Sequence, residues 1–345
     1  MIATLARPVA GLSVWLQHLP ATTADRDEIR QLAESGRFTD LSITGPGSTG
    51  PDAVDHARWA CDLLRAGHRR SGGREGLVAA PVTALTSSTE GYVNAARALA
   101  RAVDRPNLLA ALPASDNGIA AIAPLLAEGI GVRTGPVFSA ERYRRVARAQ
   151  LRGLALAHRQ GRDLAVLASA ATFGVGGIDV EIDALLDRAG SHESKALRGL
   201  AGIAGARSAQ RILAETFDPG IDPGIDPGID PGIDLATAPA NDPANDPATD
   251  PGWRILAAAG AQPPRLVWSQ LYLGVPGHRS AHYLARLSAP GESVELCPAA
   301  LAEAGPLRAG LRRLPEEHES DERLIGYLRW FGIHQEDVLQ GLETA

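Results

Sequence analysis

Short apolar runs alternate with longer amphipathic runs along most of the chain. The short runs favour β-strands, at 13–19, 40–44, 77–82, 108–113, 131–138, 164–172, 266–273 and 294–298. The longer runs favour helices, at 25–35, 53–66, 88–103, 118–128, 139–160 and 194–217. Strands that are apolar on both faces and are each followed by a helix indicate a parallel sheet covered by helices. Eight such units predict an α/β fold, a closed (β/α)8 TIM barrel.

The end of the chain departs from this alternation. Residues 319–342 show two amphipathic helical patterns separated near Gly332. A glycine at such a break is typical of a helix end. We therefore expect a C-terminal helical extension that packs back onto the barrel, with residues 1–345 forming a single domain.

Residues 218–250 interrupt the pattern with a low-complexity insertion. Asp218 begins four copies of Asp-Pro-Gly-Ile, and a run rich in Pro, Asn and Asp follows. Proline at every fourth position removes the amide donors that a helix or sheet needs, and glycine adds chain entropy. The insertion is predicted to be a string of Pro-Gly turns or a disordered surface loop. Calcium binding is not expected, because calcium loops place their ligands on alternate residues within one tight turn.

Composition narrows the classes of function. The net charge is −6 with 45% hydrophobic residues, so a basic face for nucleic acid or an anionic membrane is not expected. No apolar stretch reaches the roughly 20 residues that span a bilayer. Cys61 and Cys297 fit neither a metal site nor a disulfide framework, which favours a cytoplasmic protein. The chain has a single lysine, Lys195.

Several segments together resemble the transaldolase family, in particular its bacterial type with a C-terminal extension. They include GLSVWLQHL at 11–19, RPNLLAALPAS at 105–115 and FSAERYRRV at 138–146. The late helix at 196–217 and the last two predicted strands are also similar to that family. The resemblance implies a barrel of the class I aldolase type in the pentose phosphate pathway, which uses no cofactor.

The resemblance also implies a catalytic lysine on the fourth strand. This amine forms an imine with a sugar phosphate, and the imine lets a dihydroxyacetone unit pass to another sugar. The family segment N-L-x-x-K-I-P-A-T aligns with residues 107–115, which places Ala111 at the lysine. A methyl group cannot form an imine, so we expect no transaldolase activity.

Other family positions are also changed. The family's proton-transfer aspartate on the first strand aligns with Gln17. The asparagine after the second strand aligns with Gly45, and the glutamate of the third strand aligns with Ala80. On the fifth strand the Asn and Thr of the family pattern become Arg133 and Gly135. The serine and arginine that grip phosphate become Thr172 and Gly177.

A few polar residues remain candidates for ligand binding. They are predicted at the mouth of the barrel: Gln17, Arg133, Thr172, Gln270 and Tyr272. Arg133 has two interpretations, an anion-binding residue or one half of a salt bridge. The nine histidines show no metal-binding spacing, so no metal site is expected.

Three functions follow from these patterns. The first is a pseudoenzyme that binds a sugar phosphate or a protein partner of sugar-phosphate metabolism. The second is a barrel enzyme with different chemistry on a carbohydrate-type substrate, which requires the polar candidates to converge on one pocket. The third is an active transaldolase that uses Lys195 in place of the missing amine.

Overall fold

The computed structural model is a closed barrel of eight parallel strands in chain order. It describes residues 11–18, 22–44, 48, 52–217, 252–271, 280–287, 291–303 and 318–344. The strands are β1 Ser13–Gln17, β2 Asp40–Ser42, β3 Val78–Pro81, β4 Leu108–Leu112, β5 Val132–Val137, β6 Ser169–Gly174, β7 Arg265–Ser269 and β8 Ser293–Leu296. β1 pairs with β8 and closes the barrel. The predicted TIM barrel is confirmed.

Helices cover the outside of the barrel. They are α1 Thr23–Glu34, α2 Ala53–Arg70, α3 Thr89–Val103, α4 Asp116–Ala120, α5 Ile122–Ala127, α6 Ala140–Arg159, α7 Val175–Ala189, α8 His192–Ala196, α9 Ala201–Phe217, α10 Trp253–Ala258, α11 Ser280–Leu287, α12 Pro298–Glu303, α13 His318–Trp330 and α14 Gln335–Thr344. Each long helix turns its apolar side to the sheet, which is how a parallel barrel buries both faces of its strands.

Alternate strand residues belong to two separate apolar clusters. The outer cluster lies between strands and helices and includes Val14, Ala110 and Phe173. The inner cluster fills the barrel and contains Trp15, Leu77, Ala79, Leu109, Ala170 and Val267, with Ala111 and Ala168 against it. Because side chains alternate with a period of two, each strand contributes every second residue to the interior.

Most predicted elements are present, and the differences have local causes. The expected helix at 118–128 is divided at Ala121, and the helix expected at 194–217 is divided between α8 and α9. The sixth strand begins later than predicted, because Leu164–Val166 forms a 3₁₀ turn. The sequence analysis missed α7, whose first turn contains two glycines, residues of low helix propensity.

The C-terminal extension forms the two predicted helices, α13 and α14, with Gly332 between them at φ +74°. Its last helix reaches the start of α6. The Glu343 carboxylate accepts hydrogen bonds from the Ser139 amide at 3.0 Å, the Ser139 hydroxyl at 2.6 Å and Arg142 Nε at 3.0 Å. The extension is thereby attached beside the end of β5, at the mouth of the barrel.

The predicted disordered loop at 218–250 lies outside the described residues. The two segments that flank it are in contact. Phe217 ends α9, Trp253 begins α10, and their rings meet edge to face with centroids 5.2 Å apart. The structure therefore brings the two ends of the insertion to one place on the outside of the barrel.

Among the helices of the described ranges, none combines the length and the apolar character that crossing a bilayer requires.

Candidate active site at the barrel mouth

Ala111, which the resemblance aligns with the family's catalytic lysine, lies inside the barrel. Ala111 is the fourth residue of β4 and packs against the inner cluster. In register, it lies between Pro81 on β3 and Arg133 on β5. Functional side chains of TIM barrels come from the carboxyl ends of the strands, and Ala111 is one residue from that end. The sequence alignment therefore identified an inward-facing position, where the side chain is a methyl group.

A buried ion pair crosses the interior beside Ala111. The Arg133 guanidinium donates to the Glu295 carboxylate on β8, and both residues are less than 10% exposed. Its Nη1 also donates to the Ser42 hydroxyl on β2 at 2.7 Å. The guanidinium lies 5.2 Å from the centre of the Trp15 ring on β1. Arg133 thus joins four strands through one side chain.

This arrangement satisfies most of what a buried guanidinium requires. An unpaired charge in a protein interior is very unfavourable, whereas a hydrogen-bonded pair offsets much of that penalty. Weakly hydrated arginine also stacks on aromatic faces, which accounts for Trp15 beneath it. Of the two interpretations of Arg133, the structure shows the salt bridge. Its role in binding a ligand stays a prediction.

Gln17 and Thr172 lie on different sides of the barrel. Gln17 ends β1 and is in register with Ser42 on β2, with its side chain partly exposed. Thr172 on β6 is 5% exposed, and its hydroxyl donates to the Thr134 carbonyl at 3.3 Å. The Thr172 hydroxyl is therefore directed to the backbone of the neighbouring strand.

Ala80 does not face the interior. Its side chain belongs to the outer cluster, while Ala79 belongs to the inner one. The period of two then makes Pro81 the inward residue at the end of β3. The sequence alignment was one residue short of the inward position, but Pro81 cannot titrate either. The interpretation that β3 supplies no acid is unchanged.

Gln270 occupies the space in front of α7. Its backbone has φ +59°, unusual for a residue other than glycine. A Cβ atom built on Gly177 would lie 2.2 Å from Gln270 Oε1, and one built on Gly174 would lie 2.9 Å away. A side chain at 177, where the resemblance expects an arginine, therefore cannot coexist with Gln270 in this position. Two other predicted site residues, Gly45 and Tyr272, lie outside the described residues.

Comparison with known proteins agrees with this architecture. The family model for transaldolase and fructose-6-phosphate aldolase matches residues 53–225, which include β3 to β6. A transaldolase of Thermobifida fusca is 34% identical over 319 residues, covering 90% of this chain and 77% of the relative. A transaldolase of a Parafrankia species is 32% identical over 321 residues, covering 92% of this chain and 77% of the relative. The chain belongs to the transaldolase family.

Within this transaldolase-family barrel, the single lysine is far from the interior. Lys195 is exposed on the short helix α8. Its neighbour Ser194 donates to the carbonyl of Leu186, near the end of α7. Helices of the barrel lead away from the mouth, so the end of α7 is remote from it. The position of Lys195 gives no support to a relocated imine.

Sequence reasoning missed Glu295, the partner of Arg133. A signal was present, because Arg133 and Glu295 are charged residues at inward positions of two otherwise apolar strands. Their separation of 162 residues concealed the pairing. Among the described residues, no group of three His, Cys, Asp or Glu side chains could hold a metal ion.

Proposed function

We propose that this member of the transaldolase family is a pseudoenzyme that binds a metabolite or a protein partner without forming an imine. The observation that carries the proposal is the methyl group of Ala111 inside the barrel, with Arg133 next to it in register. Imine formation requires a neutral amine close to the substrate carbonyl. The Arg133 guanidinium cannot replace it, because arginine stays protonated in proteins.

The surroundings of Ala111 support the same proposal. The Arg133–Glu295 pair occupies the interior where a ketose chain would have to meet an amine. Neither Gln17 nor Pro81 can transfer a proton at the ends of β1 and β3. Gln270 fills the space before α7, where an anion would otherwise meet the amide groups of a helix N-terminus.

The ligand is proposed to be a sugar phosphate or a protein of sugar-phosphate metabolism. This part of the proposal rests on the family, whose members act on sugar phosphates. A barrel that retains the family scaffold while losing its chemistry can keep binding as its function. Thermal-shift screening with sugar phosphates tests this, because a ligand of the native state raises the melting temperature. No shift with any sugar phosphate would leave the protein partner as the remaining form of the proposal.

Borohydride trapping tests the absence of imine chemistry. The protein is incubated with fructose 6-phosphate and sodium borohydride, and its intact mass is measured. We expect no mass adduct and no turnover, whereas the Thermobifida fusca transaldolase treated in parallel serves as the positive control. An adduct that maps to Lys195 would overturn the proposal.

The variant Ala111→Lys extends this test. A lysine there would lie beside the buried Arg133, whose fixed positive charge favours the neutral form of the new amine. A neutral amine alone does not complete the reaction. The proton-transfer and phosphate-binding groups would still be missing. We therefore expect no turnover from Ala111→Lys alone, and activity within a hundredfold of an active relative would contradict this account.

A further inference from the structure

A cavity opens at the end of the barrel opposite to the mouth. Its volume is about 630 Å³, within the range of small-molecule sites. Residues that begin strands line it, among them Ser13, Arg265 and Ser293. Since the mouth lies at the carboxyl ends of the strands, this cavity is separated from Ala111 by the inner apolar cluster.

The floor of this cavity offers hydrogen-bond donors. Arg265 Nη1 donates to Ser13 Oγ at 3.0 Å and to Asp40 Oδ2 at 3.1 Å. Within the described residues these are the hydrogen bonds that the Arg265 side chain makes, and that side chain is 20% exposed. The Nε and Nη2 edge of the guanidinium is therefore left for a ligand. A planar edge of two N–H groups matches a carboxylate or phosphate.

Asp40 does not compete for this ligand. It is fully buried, and its oxygens also accept from Ser13 Oγ at 2.6 Å, Thr39 Oγ1 at 2.7 Å and the Leu77 amide at 2.8 Å. Its acceptor capacity is used within the protein, so a cation in the cavity cannot reach it. Glu292 is likewise engaged, because it accepts from Trp268 Nε1 and Gln210 Nε2. The lining also includes Arg74 and Glu75, one charge of each sign, and Arg265 supplies the donors among the strand residues on the floor.

One wall of the cavity is apolar. It contains Val166, Leu213 and the consecutive prolines Pro263 and Pro264. Val166 is 59% exposed, which is unusual for a large aliphatic residue. An apolar wall next to a guanidinium edge suits a ligand with a hydrophobic body and one acidic group. We infer that this cavity binds a small amphipathic organic anion, with its acidic group on Arg265 and its body against Val166 and Leu213.

A matched pair of probes tests the inference. 4-Phenylbutyrate and 4-phenylbutan-1-ol share one apolar body and differ in the acidic group. Both are titrated into the full-length protein by calorimetry. We expect the carboxylate to bind with a dissociation constant of about 1 mM or tighter, and the alcohol at least tenfold more weakly.

Variants then assign the site. Arg265→Gln should weaken phenylbutyrate binding about tenfold and leave the affinity for the alcohol unchanged, because it removes the guanidinium and keeps the apolar wall. Asp40 keeps three other donors, so this variant should fold. Val166→Asp changes an exposed residue and should weaken both probes. Arg30→Gln, on the surface of α1, is the control and should bind as the wild type does.

Two results would overturn the inference. One is the lack of any detectable phenylbutyrate binding to the wild-type protein. The other is unchanged binding to both Arg265→Gln and Val166→Asp, which would place the probe elsewhere. Neither result depends on the proposed loss of imine chemistry, since that is tested at Ala111 by mass adducts.

Discussion

At the scale of single residues, the charged groups inside the barrel are engaged in contacts between strands. Ala111 supplies no nucleophile, and its neighbour Arg133 is committed to Glu295, Ser42 and the ring of Trp15. A residue with such a set of partners contributes to holding strands together. The Arg133 charge is thus held in contacts that join the strands of the barrel.

The Arg133–Glu295 pair gives a prediction on stability. Glu295→Leu or Arg133→Met alone leaves one buried charge without its partner and should lower the free energy of unfolding by about 3–5 kcal/mol. The double variant removes both charges and should lie within ~1–2 kcal/mol of the wild type. Urea unfolding of all four proteins completes a double-mutant cycle. Additive losses would show that the two side chains act independently.

The same residues show the limits of sequence reasoning. Apolar runs placed all eight strands, because burial on both faces leaves a strong pattern. The register of the strands was harder to predict, since a shift of one residue moves every side chain to the opposite face of the sheet. Ala80 was expected at an inward position that Pro81 occupies. The contact between Arg133 and Glu295 depends on closure of the barrel, which no local pattern records.

At the scale of elements, one carboxylate of the last helix binds the start of α6, beside the apolar packing of Val338, Leu339 and Leu342 against the core. Glu343 on α14 accepts three hydrogen bonds from Ser139 and Arg142 at the start of α6. It also places a negative charge near the positive end of that helix. Ser139 itself caps α6 by accepting from the Arg142 amide at 3.1 Å. The attachment therefore couples the extension to the wall of the mouth.

Removing this carboxylate should loosen α14. Glu343→Ala leaves the partly buried Ser139 amide and Arg142 Nε without their acceptor, while Arg142 keeps Asp116 and the Ala114 carbonyl, and should lower the free energy of unfolding by about 1–3 kcal/mol. Limited proteolysis should then cut the chain near Gly332 faster than in the wild type. The control is Glu336→Ala, which removes a solvent-exposed pair with Arg329 and should cost under about 1 kcal/mol. Equal proteolysis of both variants would show that Glu343 does not hold the extension.

At the scale of the whole molecule, the eight strands close into a barrel, and residues 218–250 lie in the sequence between α9 and α10. Phe217 and Trp253, at the facing ends of these helices, touch edge to face. α9 and α10 both continue into buried contacts, through Ile212 and Leu256 among others. The described core thus includes residues from both sides of the insertion.

Replacement of residues 218–250 by a short Gly-Ser linker tests whether the core of the barrel forms without the insertion. The ring centroids are 5.2 Å apart, so a linker of about six residues spans the gap easily. Shortening a loop also lowers the entropy cost of closing it, by only about 0.6 kcal/mol for each halving of length. We expect the melting temperature of the shortened protein to lie within a few degrees of that of the full chain. At this size, a change of 1 kcal/mol in the free energy of unfolding shifts the melting temperature of a domain by about 2–4 °C or less. A fall of more than about 10 °C in the melting temperature would mean that the insertion takes part in the core.

The variant Phe217→Ala in the full chain distinguishes a role of the ring contact from a role of the insertion, because it removes the ring contact while keeping the insertion. It should be destabilised by about 3–5 kcal/mol.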